Sequence, residues 1–481
     1  MAWSLATRGL RVLVLDRAHF PREKVCGDFV EPRGLRLFQT MGCLGTLEAA
    51  GPLAITHVNL FLGGKSAYRE HIPFYAGQAD VPQHGYIIPR AELDHRILAS
   101  AVEAGAVLHE GCQVSGVERK DGKMIVHFRE GDAESTVRAP IVVGADGTHS
   151  MVARSFGLLK DDPRYIAVSQ RAYVENLAIT NGEAAFVFDR DLFPGYGWMF
   201  PMSNGRANVG VGILAETRDR YRISVPALFN TFLQKLQRLH AGCGALRLAS
   251  KPIGGIVKTY GGGGPNHFDG GILIGDAGCF VDPMTGEGIT PAAESALLGS
   301  TVIADALDQG RTDAAFLSAY RRSFRAYFDP AMCYLDFVAC IMRNRHFCDF
   351  WLNVVRRGCE MAMRDRSFAR LGGAAFGGLD VRPLDMISRM WAKSVGRIAS
   401  DSGRVATEIL SGRVTSVPGV TDLALWHTGW WSSLAEDPAW TSRWMADVAR
   451  KWMRLPATTR LRDPRAEGPA QLRITAARAS G

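Results

Sequence analysis

Apolar and polar positions change their period several times along this chain, and the changes divide it. Val12-Leu13-Val14-Leu15 is a continuous apolar run ending in Asp16, the mark of a short strand buried on both faces. Ahead of it, Met1 to Gly9 reads as the last turns of a helix. Helical spacing returns over 32–40 and 90–105, and strands are predicted at 11–16 and near 107–116, 123–128 and 135–143. Helix and strand thus alternate through residue 150, as in βα units. Residues 55–90 break that rhythm with polar–apolar alternation. Alternation then dominates from about 165 to 260, in Ile166–Val174, Ala184–Phe188, Gly197–Pro201 and Ala207–Ile213, which predicts an antiparallel sheet. A buried run at Gly271–Ile274 and an Ala-rich helix restore the first pattern up to about residue 308. From Phe316 to Met363 aromatic residues recur every three or four positions, so that stretch is helical and mostly core-facing. The expectation is an α/β protein: a doubly wound unit, interrupted by an inserted antiparallel sheet and followed by a helical region.

The chemistry concentrates in residues 270–291, GGILIGDAGCFVDPMTGEGITP. A buried strand feeds into Gly275-Asp276-Ala277-Gly278. Seven residues later the Gly-rich turn Thr285-Gly286-Glu287-Gly288-Ile289 opens a long helix. A carboxylate at the mouth of a strand can accept from polyol hydroxyls, and backbone amides at a helix start face an anion. The spacing, with Pro283 between the two glycine clusters, resembles the second FAD motif of the para-hydroxybenzoate hydroxylase-like flavoproteins. Four companions precede it in order: Asp16; Lys24-Val25-Cys26-Gly27-Asp28; Arg90-Ala91-Glu92-Leu93-Asp94, followed by a strand carrying Val114; and Val142-Val143-Gly144-Ala145-Asp146-Gly147. Each is weak alone; an Asp-Gly pair is as often a plain turn.

Gly195-Tyr196-Gly197-Trp198-Met199-Phe200-Pro201, followed by Asn208-Val209-Gly210-Val211-Gly212, narrows the resemblance to the geranylgeranyl reductase branch, whose pattern also holds the KxCG and TGEGI elements. It covers residues 1 to about 385, including Phe376-Gly377-Gly378-Leu379-Asp380. It implies a discontinuous Rossmann-like FAD-binding domain (1–54, 90–164 and 265–310) around a substrate domain (55–89 and 165–264); the residue pattern adds a Trp-rich helical region (311–455), and the polar, Arg- and Pro-containing composition after it a disordered tail (456–481). It assigns Asp16 to the adenosine ribose, Asp276 to the ribityl chain, Arg90 to the linking chain and Asp146-Gly147 to the adenosine half. Cys26, Gly27, Val114, Gly275 and Pro283 join the cofactor-binding set. The amides of Gly286, Gly288 and Ile289 would face the pyrimidine end of the flavin. Tyr196, Trp198 and Phe200 share one face of a strand and would line the substrate cavity, where three uncharged aromatics suit a bulky apolar substrate. Cys26 is a weak catalytic candidate, since Lys24 alone is little support for a reactive thiolate; a packed thiol is the more ordinary reading.

One departure stands out. The family opens with a strand and a GxGxxG loop before the strand that ends in the ribose-binding acid, and no such loop precedes Leu13. Its loss removes the close backbone approach to the pyrophosphate and a central parallel strand, leaving apolar neighbours uncovered. Either roughly 15–20 residues of a βα unit are missing upstream through a misassigned start, or the protein is shortened and holds FAD weakly or not at all. The other FAD elements favour the first.

With 481 residues there is room for two or three domains. No apolar run reaches the roughly 18 residues of a membrane span, and the N-terminus lacks a signal-peptide pattern. Nine cysteines without CxxC pairs suggest a reducing, cytoplasmic setting, no disulfide framework and no metal site. Net charge is +8. With no nucleic-acid motif, the Arg-rich balance is read as solvated helix faces, with an acidic partner such as a carrier protein kept open. Gly261 to Gly264 is read as a loop linking the two domains. Eight of the ten tryptophans lie at or after Trp351; among them Trp430, Trp431, Trp440, Trp444 and Trp452 recur at roughly helical intervals and are expected to cap the substrate domain or form a subunit contact, with an apolar lid as the sharper idea. The leading expectation is FAD-dependent reduction of C=C in an isoprenoid- or polyketide-like molecule, free or carrier-bound, with NAD(P)H as electron donor. The alternatives are a monooxygenase and a non-redox cyclase or tailoring protein of natural-product biosynthesis; a homo-oligomer is left open.

Overall fold

A computed structural model describes residues 1–72, 81–177, 180, 182–203, 205–239, 245–261, 264–376 and 418–459. The fold is mixed α/β. Strand Leu13–Leu15 pairs in parallel with Val107–His109. Strand Val142–Gly144 pairs in parallel with Gly271–Leu273, which continues antiparallel to His267–Phe268. Among the described residues no strand joins these two ladders. Leu13 and its neighbour Val107 are 40% and 54% exposed, unusual for parallel strands, which are normally covered on both faces. The Ala2–Ala6 helix packs against both Arg90–Glu103 and Ile289–Asp308, and Ser4 Oγ meets Ser300 Oγ at 2.8 Å.

Helices form over Pro32–Thr40 and Arg90–Glu103, where the sequence places them. Two expected strands divide. The 107–116 run breaks before Cys112, at Gly111 with φ +70°. The 135–143 run breaks at Pro140, which lacks an N–H for a ladder, and its halves join different sheets. Asp121 and Gly122, both at positive φ, turn Cys112–Lys120 into Lys123–Glu130, as a two-residue hairpin requires.

The large sheet has eight strands. Arg247–Leu248, Ile166–Glu175, Arg206–Leu214, Tyr196–Pro201, Glu183–Phe188, His57–Leu62 and Lys65–His71 follow in order, and Ile253–Lys258 also pairs with Ile166–Glu175. Helices Ala215–Arg220 and Val225–Leu239 interrupt a stretch whose alternation had signalled strands alone. Leu228, Phe229, Phe232 and Leu236 form the buried stripe of the second helix and pack on Met199, Val209 and Val211. A Cβ on Gly197 would lie 2.6 Å from the Phe232 ring, so glycine lets the helix seat. The opposite face of the same strand carries Tyr196, Trp198 and Phe200.

Asp313 caps the Ala314–Met342 helix by accepting from Phe316 N at 2.9 Å. Cys348–Arg364, Arg366–Phe376, Pro418–Glu436 and Pro438–Thr459 follow. Phe347 lies 5.1, 5.4 and 5.5 Å, centroid to centroid, from Trp426, Trp430 and Trp444. These tryptophans therefore build a core between helices rather than an apolar lid. The last helix runs to Thr459, past the expected boundary at 456. Gly262, Gly263, Gly377–Asp380, Trp391 and 460–481 lie outside the described residues.

Candidate functional site

A cavity of about 560 Å³, a size typical of cofactor and ligand pockets, lies where the parallel ladders meet the large sheet. It gathers most of the residues singled out from the sequence. Cys26, Gly27, Arg90 and Gly147 line it, as do Gly275, Asp276, Pro283, Gly286, Gly288 and Ile289. Tyr196, Trp198 and Phe200 form an aromatic wall beside Phe29, Phe186 and Phe376, with Phe29–Phe200 and Phe186–Phe200 centroids 5.6 and 5.5 Å apart. Among the described residues, no tryptophan from Trp351 onward lines it.

Asp16, Val114 and Asp146 are not in this wall. Asp16 Oδ1 accepts from Ala18 N at 2.8 Å. Val114 packs half-buried in the cluster around Val117. The Asp146 carboxylate accepts from Ser150 Oγ at 2.5 Å and Val152 N at 3.0 Å, holding the start of the Met151–Ser155 helix, while Gly147 (φ +76°) supplies the turn.

Asp276 is buried, its Oδ2 3.7 Å from Lys24 Nζ. The Ile289–Asp308 helix begins at Gly288; Thr290 N donates to Glu287 and Gly286 N to Asp282 O at 3.0 Å, so of the three amides expected to face the flavin those of Gly288 and Ile289 are left for a ligand. Arg90 is fixed by two 2.8 Å bonds to Asp94, which also accepts from Arg22 at 2.9 Å. Arg90 also reaches Cys26. Burial pushes the Cys26 thiol up, and Arg90 only partly opposes it, so near neutral pH the sulfur is a thiol and not the thiolate a nucleophile needs.

Two networks escaped the sequence reading. In the first, Asp28 is fully buried at φ +65°. Its Oδ2 accepts from Tyr173 OH at 2.7 Å and Asn208 Nδ2 at 2.8 Å. Asn208 Nδ2 also donates to Cys26 O at 2.9 Å, and Asn208 Oδ1 accepts from Trp198 Nε1 at 2.9 Å. The cysteine loop is thereby tied to the aromatic strand. Arg171, 1% exposed, stacks over Tyr173 at 4.3 Å and pairs with Glu23 at 2.9 Å. The available signals were Asp28 in KVCGD and Asn208 in NVGVG.

In the second, Arg33 forks onto Glu294 with bonds of 2.9–3.2 Å, and Tyr327 OH donates to the same carboxylate at 2.7 Å. Glu31 and Glu287 line the cavity, and Glu287 accepts from Thr290 N at 2.8 Å. Asp282 accepts from Met284 N at 2.7 Å and Thr285 N at 3.1 Å. Four carboxyls thus surround one guanidinium. Burial pushes Glu31 up to about 7, with Arg33 opposing and Asp282 adding. Burial and Glu31 push Glu287 well up. At neutral pH Glu287 therefore keeps its proton and Glu31 shares one about equally with solvent, because the buried charges cannot all be balanced. Tyr196 OH donates to Thr285 O, fastening the aromatic strand to the glycine turn.

Comparison with known proteins agrees with this fold. A family described as FAD binding domain matches residues 1–239. The menaquinone reductase of Mycolicibacterium smegmatis is 31% identical over 310 residues, covering 63% of this chain and 72% of that protein. Digeranylgeranylglycerophospholipid reductase 2 of Methanopyrus kandleri is 28% identical over 341 residues, covering 69% and 81%. Among solved structures, a geranylgeranyl bacteriochlorophyll reductase-like protein of Thermoplasma acidophilum superposes with TM-score 0.66 at 19% identity, covering 78% of this chain and 92% of that one. The flavin-dependent halogenase CmlS superposes with TM-score 0.62 at 20% identity, covering 83% and 76%. At such identities these structures speak to the fold alone.

Proposed function

The chain belongs to the geranylgeranyl reductase-like branch of the FAD-dependent oxidoreductases, and from that membership we propose that it saturates a C=C bond in a long isoprenoid chain. The observation that carries this reading is the uncharged aromatic wall of Tyr196, Trp198, Phe200 and Phe186, in the same cavity as Asp276 and the glycine turn. An isoprenoid offers repeated apolar units and no charge, which is what such a wall accepts without leaving a polar group unpaired.

The cavity suits FAD on its own donor set: a buried carboxylate at Asp276 for ribityl hydroxyls, amides at Gly288 and Ile289 for the pyrimidine edge beside the Gly286 turn, and Arg90 for the linking chain. Asp16 would meet the adenosine ribose. When bound and reduced by NAD(P)H, the flavin would supply a hydride to the alkene and return to FAD. The chain's own residues do the rest. Tyr196, Trp198 and Phe200 hold the substrate and exclude water. Glu31 and Glu287 carry carboxyl protons at the cavity wall, so that the second hydrogen of a saturated bond can come from a neighbouring acid. Asn208 and Asp28 hold the Cys26 loop against the aromatic strand. NAD(P)H is the electron donor in this reading.

Oxygen chemistry, which the same fold also hosts in a flavin-dependent halogenase, is the second reading. Anaerobic incubation of the FAD-loaded protein with dithionite and a polyprenyl quinone, followed by mass analysis, separates the two: product formed without oxygen supports reduction, and product formed only with oxygen supports the alternative.

A further inference from the structure

The Pro438–Thr459 helix carries an unusual outer face. Its inner face is fully engaged. Trp440 and Trp444 are buried, and Trp444 Nε1 donates to Cys340 O at 2.8 Å. Asp447 pairs with Arg343 at 2.5 Å, and Lys451 with Asp336 at 2.5 Å. Both are only 3% exposed, so the helix spends its lysine and most of its carboxylate on the protein interior, Asp447 Oδ1 also lying 3.5 Å from Arg450 Nη1. What remains outside is apolar and cationic. Met445, Trp452 and Met453 are 45%, 60% and 70% exposed, and Ala446 and Ala449 are exposed between them. At about 100° per residue these five occupy a sector of roughly 120°. Arg443, Arg450 and Arg454 are exposed and fall together along one flank of it. Between residues 440 and 455 no carboxylate is exposed. On the preceding Pro418–Glu436 helix, Trp431 is 71% exposed.

A soluble surface helix normally turns its charges outward and its large apolar groups inward. Here tryptophan and methionine share the outer face with arginine, the composition of a helix lying in a membrane interface, where the indole and thioethers enter the boundary between headgroups and acyl chains and guanidiniums meet phosphates. The charge also argues against a second copy of the chain, because a two-fold contact brings the same patch onto itself and would set arginine against arginine. No helix among the described residues is long and apolar enough to cross a membrane, so attachment through this face would be peripheral.

We propose that the outer face of the Pro438–Thr459 helix docks the protein onto an anionic phospholipid bilayer, with Met445, Trp452 and Met453 entering the interface and Arg443, Arg450 and Arg454 binding lipid phosphate. The surface stands apart from the reductase reading, since vesicle binding is read without turnover.

The test is flotation of the full chain with phosphatidylcholine vesicles containing about one-third phosphatidylglycerol, or none, the anionic fraction being the variable that polybasic attraction depends on. Expected are binding that needs the anionic lipid, falls as salt rises, and shifts tryptophan emission to the blue. Trp452→Ser with Met453→Ser, and separately Arg443→Glu with Arg454→Glu, should each lower the partition coefficient at least about tenfold. The second pair removes no packed ring, so a folding defect from losing the Trp452–Phe337 contact (5.4 Å) cannot imitate the result. Circular dichroism verifies each fold. Absence of vesicle binding, binding untouched by both pairs, or a concentration-dependent dimer that the same substitutions abolish would overturn the proposal.

Discussion

Replacing Asp28 by asparagine tests whether the loop carrying Cys26 is held by a carboxyl that burial keeps proton-hungry. Asp28 is fully buried; one oxygen accepts from Tyr173 and Asn208, and the other has no partner. Burial pushes the carboxyl up from 3.8 to about 6, against the opposing hydrogen bonds from Tyr173 and Asn208 and the charges of Arg171 and Arg90. The folded protein therefore holds this proton more tightly than the unfolded chain. That stabilisation is complete below about 3.8 and is lost as pH rises through about 6, a difference that converts to about 3 kcal/mol. Asparagine keeps a carbonyl acceptor toward Tyr173 and Asn208 and carries no charge at any pH. Urea unfolding of both proteins at a series of pH values at fixed ionic strength gives the free-energy difference, variant minus parent. It should rise by about 2 kcal/mol between about pH 4 and about pH 7, the rest of the difference lying below about pH 4. A difference constant across that range would refute the reasoning, because Asp28 would then have the same proton affinity folded and unfolded.

Other consequences are more local. Trp198→Phe leaves Asn208 Oδ1 without its indole donor, so unfolding in urea should show a loss of about 1–3 kcal/mol beyond that of a neutral aromatic exchange. Gly210→Ala would put a Cβ 2.1 Å from Trp198 Cζ2; the displaced ring should cost about 1–3 kcal/mol and raise KM for a prenyl substrate more than it lowers kcat. Asp276→Ala removes a buried acceptor at the strand mouth and should weaken FAD binding by about 10-fold to 150-fold in a flavin fluorescence titration; unchanged affinity would remove Asp276 from the ribityl site. Glu31, pushed up to about 7, should make kcat/KM fall as pH rises through about 7, and Glu31→Gln should leave a slower, flatter profile.

What the sequence disclosed depended on how local each signal is. The GDAG strand, the TGEGI turn and the alternation of Tyr196, Trp198 and Phe200 are written in consecutive residues, and the fold gathers them in one cavity. The Val225–Leu239 helix went unread because Phe229, Phe232 and Leu236 lie inside a region whose neighbours alternate, and the period of two prevailed in the reading. Asp28, Asn208 and Tyr173 were invisible as a network, since pairs 145 and 180 residues apart leave no spacing to read. The same holds for Glu31, Arg33 and Glu294, which only the packing of two helices brings together. Asp146 was legible as a turn residue, but its carboxylate caps the next helix, a use the motif does not reveal.

The measurement that bears most directly on the central claim is the mass of the product made by the FAD-loaded protein from a polyprenyl quinone, with reducing equivalents supplied and oxygen excluded. The account predicts a product heavier by two hydrogen atoms per turnover, with one prenyl double bond gone and the ring unchanged after reoxidation. An unaltered substrate without oxygen, together with an oxygen- or halogen-bearing product once air and halide are admitted, would contradict it.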